Sequence, residues 1–382
     1  MNIYLNRYKY KYIFLLIAIY YFKTYSSNKS LRQIRNYIND NLLGKLYYST
    51  SYFIKENSPI ISIIIATFNG EVFLKPVVRS VQNQNFSNIE IIIVDDGSMD
   101  NSIKVIKELM KEDNRIKLIR NIENRGTLYS KTRGILNSKG KYVMTLDHDD
   151  LYARNNVFSI LFNEAEKYNL DLLGFASMIF SVETKYLNRK NFISYFKTSI
   201  IKKPNIKKRF LNHNIKQSGT LLCMYFIKKS LFLKVINLLG KEFINRNIDA
   251  HDDTILMFLL SRNALSLKHL KDIFHVIFIW PKKYSISLSF HHTIKFKERE
   301  RKNCYSFLTF SEILLLFTEN NKNDKKIASN HFIQWYFKIG KCHYKKDIIK
   351  DTVRICNLYL NNKYIAKSSK NEILSYLQCL KN

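Results

Sequence analysis

The sequence predicts an α/β fold in which a mostly parallel sheet is flanked by helices, and two observations carry this prediction. Short and almost continuous apolar runs, typical of strands buried on both faces, begin at Ile60, Ile89, Ile116 and Tyr142. Between these runs, apolar residues recur at helical spacing. Strands that alternate with helices are joined by right-handed crossovers, which build a mostly parallel sheet covered on both faces.

Each predicted element has its own local signal. The predicted strands lie at 60–65, 89–94, 116–119, 142–146 and about 171–180, and the predicted helices follow residue 72, follow residue 98, and span 124–138 and about 156–168. Pro76 must lie in the first turn of its helix or bend it. Ser98 and Asp100 are both suitable N-cap residues for the second helix.

The pattern changes after about residue 181. A basic tract at 201–209 interrupts the alternation of strands and helices; its charges are Lys202, Lys203, Lys207, Lys208 and Arg209. An apolar, helix-like segment follows at 218–239, and another helix is predicted to open at His251. From about residue 300 the chain is predicted to be a helical C-terminal extension.

The N-terminus carries an apolar segment flanked by lysines. Its eleven residues, Tyr12–Phe22, are fewer than the ~20 needed to cross a bilayer as a helix, but they suit a signal-peptide core. We predict that 1–23 is a signal or membrane-anchor segment and that 24–58 is a stem or linker. The protein is therefore expected at a membrane, in the endomembrane system or elsewhere. A buried helix is the alternative.

Composition excludes some classes of function. The chain has 382 residues, enough for a domain of roughly 200–250 residues with smaller additions. Its net charge of +31 indicates either an anionic partner or a compositional bias. The five cysteines form no CxxC pair, so neither a zinc site nor a disulfide framework is predicted, although the four in the last eighty residues or so could still pair in an oxidising compartment. No GxGxxG follows the first strand and no P-loop is present, which disfavours both kinds of nucleotide site.

Acidic residues follow the strand at 142–146, where Asp147, Asp149 and Asp150 stand within four positions. Three adjacent carboxylates repel one another unless a cation lies between them. Oxygen ligands suit a hard divalent cation, Mg²⁺ or Mn²⁺, which would keep positions open for a substrate diphosphate. The alternative is an acidic turn that caps the next helix.

Two more polar clusters are expected near the first. Asp95-Asp96 ends the second strand, where a carboxylate can accept hydrogen bonds from a base and a ribose, or simply cap a helix. Asp252 and Asp253 begin a later helix, where a carboxylate beside His251 could act as a general base or as a cap. Ligands of parallel sheets bind beyond the carboxyl ends of the strands, so these clusters should meet at one edge.

The motifs ISIIIATFNG, IEIIIVDDGSMDNS and NRGTLYSKTRGILNSKGKYVMTLDHDD resemble the donor-binding half of the family 2 glycosyltransferases. The resemblance covers about residues 59–180 and continues more weakly to about 265. It implies the GT-A type of Rossmann-like fold. On this basis we predict a catalytic domain at 59–295, with a donor half at 59–180 and an acceptor half at 181–295, followed by helices at 296–382.

The resemblance also implies roles for single residues. Thr67, Phe68 and Asn69 would border the base of the nucleotide sugar, and Asp96 would hydrogen-bond its uracil-type ring, with Asp95 nearby. The segment that approaches the ribose and diphosphate corresponds to Arg125, Gly126 and Arg133. The Asp-x-Asp that binds ribose and metal corresponds to Asp147 and Asp149, with Asp150 adjacent.

For the catalytic base, the resemblance leaves two candidates. The family has a Glu-Asp pair whose aspartate is the base, and this pair corresponds to His251-Asp252. Because histidine replaces the glutamate and a second aspartate follows, both Asp252 and Asp253 are candidates.

The implied activity is metal-dependent transfer of a sugar from a nucleotide-diphospho-sugar, UDP-type by preference, to a hydroxyl of a glycan, lipid or protein. The base would remove the proton of the acceptor, whose oxygen would displace the nucleoside diphosphate with inversion. The alternative is an inactive nucleotide-sugar-binding protein on the same fold. Nucleic-acid binding is disfavoured because the basic tract contains no recognition module and the acidic clusters would repel phosphates.

Overall fold

The computed structural model describes residues 58–181, 186–188, 199–203, 205–206, 221–279, 293–317, 346–361 and 367–379. The predicted signal or anchor segment (1–23) lies outside these residues, as does the predicted stem (24–58) except for Ser58. Of the basic tract, Lys202 and Lys203 are described and exposed. Lys207, Lys208 and Arg209 lie outside the described residues.

Four strands and three helices alternate in the first part of the described chain, as the sequence predicts. The strands are β1 (Ile61–Thr67), β2 (Ile89–Asp95), β3 (Ile116–Arg120) and β4 (Tyr142–Thr145). The helices between them are α1 (Leu74–Gln82), α2 (Ser102–Glu112) and α3 (Thr127–Leu136). α1 places Pro76 in its first turn, so the proline does not interrupt a helical hydrogen bond.

The next part adds six strands and three α-helices. The strands are β5 (Leu151–Tyr152), β6 (Leu172–Ser181), β7 (Tyr186–Asn188), β8 (Ile201–Lys202), β9 (Tyr225–Lys228) and β10 (Ser266–Ile279). The helices are α4 (Val157–Tyr168), α5 (Lys229–Ile244), which is kinked at Gly240, and α6 (Asp252–Asn263). The described C-terminal part consists of α7 (Thr293–Leu316), α8 (Lys346–Leu360) and α9 (Lys367–Cys379).

The described strands form one mixed sheet, whereas the sequence predicts a mostly parallel one. Its order is β3-β2-β1-β4-β9-β6-β10-β5, with β7 beside β6 and β8 beside β10. The strands β3, β2, β1 and β4 are parallel to one another. The prediction fails beyond β4 because β9 enters between β4 and β6 and is antiparallel to both.

The centre of the sheet explains the continuous apolar runs. All seven residues of β1 and all seven of β2 are buried, because neighbouring strands flank them and helices cover the sheet. α3 packs on β1 and β2. A Cβ atom at Gly134 would lie 2.5 Å from Ile64 Cγ2, so only a glycine permits this close approach of helix and sheet.

Two local predictions are wrong. The segment 218–239 is not a single helix: a 3₁₀ helix (Leu222–Met224) and β9 precede α5, because the gap between β4 and β6 must be filled by a strand. The N-cap of α2 is Asn101, not Ser98 or Asp100. The Asp100 carboxylate instead accepts a hydrogen bond from the Ser102 amide at 2.9 Å.

The C-terminal helices are attached to the first domain through α7. Phe310, Ile313 and Leu314 of α7 belong to the main core, whereas Leu308 packs with Ile355 of α8 and with other residues of α8 and α9 in a second, smaller core. Among the residues that the structure describes, no helix has both the length and the apolar character needed to cross a bilayer.

Candidate functional site

The carboxyl ends of β1, β2 and β4 lie side by side, so the predicted polar clusters share one edge of the sheet. The parallel register pairs Thr67 with Asp95 and Ile64 with Thr145. Asp96 donates its backbone N–H to the Thr67 carbonyl at 2.8 Å. Asp147 and the residues after it follow the end of β4, next to the end of β1.

Asp96 holds the turn that leads into α3. Its carboxylate accepts hydrogen bonds from the backbone N–H groups of Arg125 and Gly126, both at 2.9 Å, and from Asn121 Nδ2 at 2.6 Å. Burial raises the pKa of Asp96, although these donors favour the charged form. Asp96 therefore fixes the backbone of the segment that was predicted to approach the ribose and diphosphate.

The turn after β1 is fastened to the turn after β2. Asn69 has a left-handed backbone (φ 50°), donates its N–H to Ser98 Oγ at 2.8 Å, and accepts the N–H of Met99 at 2.9 Å. Phe68 is half-buried in the same turn. Asp95 is fully buried, accepts the N–H of Ser98 at 3.2 Å, and lies 3.7 Å from Arg120 Nε.

The two predicted arginines have different surroundings. The Arg125 guanidinium lies 4.9 Å from the centre of the Tyr129 ring and 3.5 Å from a Glu123 oxygen. Arg133 donates to the Arg120 carbonyl at 2.8 Å and to Asn121 Oδ1. Arg133 thus supports the end of β3, on the far side of α3 from the acidic cluster described next.

A buried lysine, which the sequence analysis did not identify, lies between the acidic residues that follow β4 and the two aspartates that begin α6. Lys131 Nζ lies 3.2 Å from Asp147 Oδ1, 2.9 Å from Asp252 Oδ2 and 2.8 Å from Asp253 Oδ1. Only 4% of the Lys131 side chain is exposed, so its charge is compensated by these carboxylates rather than by water. We call Lys131, Asp147, Asp252 and Asp253 the lysine cluster.

The charges of the lysine cluster shift the pKa values of its members. Burial alone would lower the pKa of Lys131, but the carboxylates of Asp147, Asp252 and Asp253 raise it well above its usual value. Burial likewise opposes the charged form of Asp147, yet the Lys131 ammonium lowers the pKa of this carboxyl overall. The pKa of Asp253 rises to about 7, because burial and its acidic neighbours outweigh Lys131.

The sequence does contain a signal for Lys131. It lies three residues after Leu128 and four before Ile135, both of which are fully buried residues of α3. A lysine at this helical spacing lies on the buried face of the helix. Because its ammonium group is removed from water there, it requires carboxylate partners.

The start of α6 is held against the start of α3. Asp253 Oδ2 accepts the N–H of Leu222 at 3.1 Å, and His251, which precedes α6, has a left-handed backbone (φ 61°). The Ile248 carbonyl accepts hydrogen bonds from Leu128 N and Thr127 Oγ1, both at 3.2 Å. The predicted base is thereby fixed to the same helix that carries Lys131.

Asp149 and Asp150 have different environments in the loop after β4. Burial, together with the charges of Asp150 and Asp147, raises the pKa of Asp149 well above its usual value. A divalent cation would relieve this repulsion, so the oxygen atoms of Asp147 and Asp149 fit the predicted metal. Asp150 is buried, and its Oδ2 lies 3.3 Å from His275 Nε2.

The comparison with protein families agrees with this geometry. Residues 62–232 match the family described as "Glycosyl transferase family 2". These residues form a family 2 glycosyltransferase domain. The domain contains β1 to β4 and all the predicted donor-site residues, whereas Asp252 and Asp253 lie 20 or more residues beyond its end.

Bacterial proteins resemble the glycosyltransferase domain and, in one case, most of the chain. A β-1,3-glucosyltransferase of Campylobacter jejuni, named for the substrate GalNAc(5)-diNAcBac-PP-undecaprenol, is 40% identical over 93 residues, which are 24% of this chain and 30% of that protein. The cholesterol galactosyltransferase of Borreliella burgdorferi is 24% identical over 329 residues, 84% of this chain and 83% of that protein. The chain spans 40% or less of the length of matching glycosyltransferases from Haemophilus influenzae and Streptococcus pneumoniae.

A solved structure shares the fold. The crystal structure of S. aureus TarS residues 1–349 in complex with UDP-GlcNAc superposes with a TM-score of 0.60 at 13% identity, and the match covers 84% of this chain and 88% of that one. The glycosyltransferase domain therefore has a GT-A-like α/β fold with a mixed sheet.

Proposed function

We propose that the protein transfers a sugar from a UDP-type nucleotide-diphospho-sugar to an acceptor hydroxyl. One observation carries the proposal: Lys131 brings Asp147, on the donor side, together with Asp252 and Asp253, on the acceptor side. A donor and a base must share one site for a single displacement. The family 2 match and the TarS structure with bound UDP-GlcNAc support the choice of donor.

Thr67, Phe68, Asn69 and Asp96 would receive the base of the donor. The turns that carry them are fastened together by the hydrogen bonds of Asn69 and Asp96, so the backbone is organised before the donor binds. Preorganised backbone lowers the entropy cost of binding. Arg125 and Gly126 would then approach the ribose and the diphosphate, with Asp147 on the opposite side.

Mn²⁺ or Mg²⁺ would be held by Asp147 and Asp149. When bound, such an ion compensates the negative charge that develops on the departing diphosphate. Asp149 suits this role because its pKa is raised by burial and by Asp150 and Asp147, a repulsion that a cation removes. Asp147 already faces one cation, the Lys131 ammonium, at 3.2 Å.

Asp252 is the better candidate for the base. Asp253 has both of its oxygens engaged, Oδ1 by Lys131 and Oδ2 by the Leu222 amide. Asp252 contacts Lys131 through Oδ2. We assign Asp252 to removal of the acceptor proton, and Asp253 to holding Lys131 and the 3₁₀ helix in place.

The acceptor is proposed to be lipid-linked and the protein to lie at a membrane. The names of two relatives contain a lipid, undecaprenol in one and cholesterol in the other. The apolar segment Tyr12–Phe22 would bring the protein to such an acceptor. An endomembrane location stays a prediction.

The test is a thermal-shift screen of nucleotide sugars with and without Mn²⁺, followed by a transfer assay with lipid acceptors. We expect a UDP-sugar to stabilise the wild type in the presence of Mn²⁺, and Asp149→Asn to abolish transfer while remaining folded. Transfer at the wild-type rate by a folded Asp149→Asn variant in EDTA would refute the metal-dependent mechanism. Donor binding without hydrolysis or transfer would support the alternative of an inactive binding protein.

A further inference from the structure

A second cluster of potential metal ligands includes one residue of the loop after β4, which we call the acidic loop. Asp150 from the loop after β4, Cys223 from the 3₁₀ helix and His275 from β10 place their ligand atoms within 4.8 Å of one another. Asp150, Cys223 and His275 are 4%, 2% and 0% exposed. We call these three residues the mixed-ligand cluster. Its sulfur, nitrogen and oxygen donors differ from the all-oxygen set expected at the donor site.

The His275 ring is held in an orientation that suits coordination. Its Nδ1 lies 3.0 Å from Ser177 Oγ, and β6 and β10 pair these two residues directly. A hydrogen bond on one ring nitrogen that directs the other to a metal is the usual arrangement of metal-binding histidines. The fully buried Nε2 makes no hydrogen bond among the described residues, although Asp150 Oδ2 is 3.3 Å away.

The distances match a tetrahedral site. Zinc–nitrogen and zinc–oxygen bonds of about 2.0–2.2 Å at a tetrahedral angle separate the two ligand atoms by about 3.3–3.5 Å. The observed separation of His275 Nε2 and Asp150 Oδ2 is 3.3 Å. No two of the three ligand atoms are more than 4.8 Å apart. Side-chain shifts of no more than about 1.5 Å would therefore bring all of them to the separations found in a zinc site.

We propose that the mixed-ligand cluster binds a zinc-class divalent cation that ties the acidic loop to β10 and to the 3₁₀ helix. Cys223 as a thiolate and Asp150 would neutralise the ion, His275 would bind as a neutral imidazole, and the thiol proton would leave to solvent. The ion would hold Asp150, and with it the loop that carries Asp147 and Asp149. This proposal does not depend on sugar transfer, because its test measures metal content.

The test uses the full chain, produced with zinc supplied and then dialysed against a Mg²⁺ buffer. Zinc per chain is measured by mass spectrometry for the wild type, Cys223→Ser, His275→Gln and Cys356→Ser. Cys356 is the matched control, because it is also a buried, free cysteine but lies in the smaller core of the C-terminal helices. We expect about one zinc per chain in the wild type and in Cys356→Ser, and at least a tenfold loss in the other two.

Cobalt gives a second readout, which identifies the ligand. Co²⁺ bound to the wild type should show a thiolate-to-metal charge-transfer band in the near ultraviolet, and Cys223→Ser should lack it. A wild type that retains no zinc, or a Cys223→Ser variant that retains as much as the wild type, would overturn the proposal. The first result would leave His275 and Asp150 as buried neighbours without a metal, and because it needs no variant, misfolding of a variant cannot obscure it.

Discussion

At the scale of single residues, Asp252 and Asp253 adjoin in sequence but have different surroundings. Asp253 is held through both oxygens, whereas Asp252 makes one ion pair, with Lys131. The sequence leaves both aspartates as candidates for the base, but substitution of each in turn can distinguish their roles.

Asp252→Asn should reduce kcat by about 10²–10⁴-fold with little change in donor affinity, because an amide cannot accept the acceptor proton. Asp253→Asn should reduce kcat much less and should mainly lower stability, since it weakens the contacts to Lys131 and Leu222. Steady-state kinetics with the donor and acceptor varied in turn measures both effects. The reverse order of the two losses would move the base to Asp253.

Asp149 leads to a prediction for the pH dependence of metal binding. In the metal-free protein its pKa lies well above the usual value, since burial and the charges of Asp150 and Asp147 disfavour the carboxylate. Mn²⁺ binds the carboxylate, so binding displaces a proton, and affinity should rise with pH until the raised pKa is passed. Calorimetry in buffers of different ionisation enthalpy measures this proton. A dissociation constant that does not change with pH would contradict the prediction.

At the scale of elements, α3 has two functions. Its N-terminal turn presents backbone N–H groups to Asp96, and its buried face presents Lys131 to the acidic residues of the loop after β4 and of α6. Removing the lysine would leave three carboxylates without their cation.

Lys131→Met should lower the free energy of unfolding by about 3–5 kcal/mol in metal-free buffer, the usual cost of removing one partner from a buried ion pair. Mn²⁺ should restore part of this loss, because it supplies positive charge at Asp147. The control is Lys75→Met in α1, whose ion pair with Glu108 is exposed to solvent and should change the free energy of unfolding far less than Lys131→Met does. Urea unfolding measures both; equal stability of Lys131→Met and wild type would contradict the role of Lys131.

At the scale of the whole molecule, the sequence predicts the first half far better than the second. β1 to β4 and the helices between them follow from local hydrophobic pattern. β1, β2 and β4 are fully buried central strands, and β3, at the edge of the sheet, still has a short apolar run of its own. β9 could not be recognised, since three of its four residues are apolar, like those of the adjoining helix, and only the gap between β4 and β6 makes them a strand.

The candidate site divides in the same way. The aspartates stand in short motifs and could be predicted to meet at the carboxyl ends of parallel strands. The helical spacing of Lys131 indicates a buried charge but not which carboxylates pair with it. Cys223 and His275 could not be predicted, because each lies in a separate segment and acquires its neighbours only when helices and strands pack together. When residues far apart in the chain meet only through tertiary packing, their spacing in a single sequence does not predict that they are neighbours.

Glu312 connects the C-terminal helices to the site. Its carboxylate pairs with Arg354 of α8 at 2.7 Å and with Arg246 at 2.8 Å, and Arg246 belongs to the loop that leads to Asp252. Near it, the Phe310 ring of α7 stacks on His251, with 6.4 Å between the ring centres. The helical extension therefore supports the loop that leads to the proposed base.

Glu312→Ala should lower the free energy of unfolding by about 3 kcal/mol, because Arg246 is only 16% exposed and would lose its buried partner. Glu242→Ala is the control, since Glu242 also pairs with Arg246 but is 77% exposed and should contribute less than about 1 kcal/mol. Chemical denaturation followed by circular dichroism compares them. Similar losses in both variants would mean that α7 does not support this loop.

Gly126 marks where the two sides of the site are in direct backbone contact. Its φ of +86° is one that side chains disfavour, and an added Cβ would lie 2.6 Å from the Ile248 carbonyl oxygen. A side chain introduced at Gly126 would therefore displace Ile248 and the loop that leads to the proposed base. The proposed donor side and the proposed acceptor side therefore cannot be altered separately at Gly126.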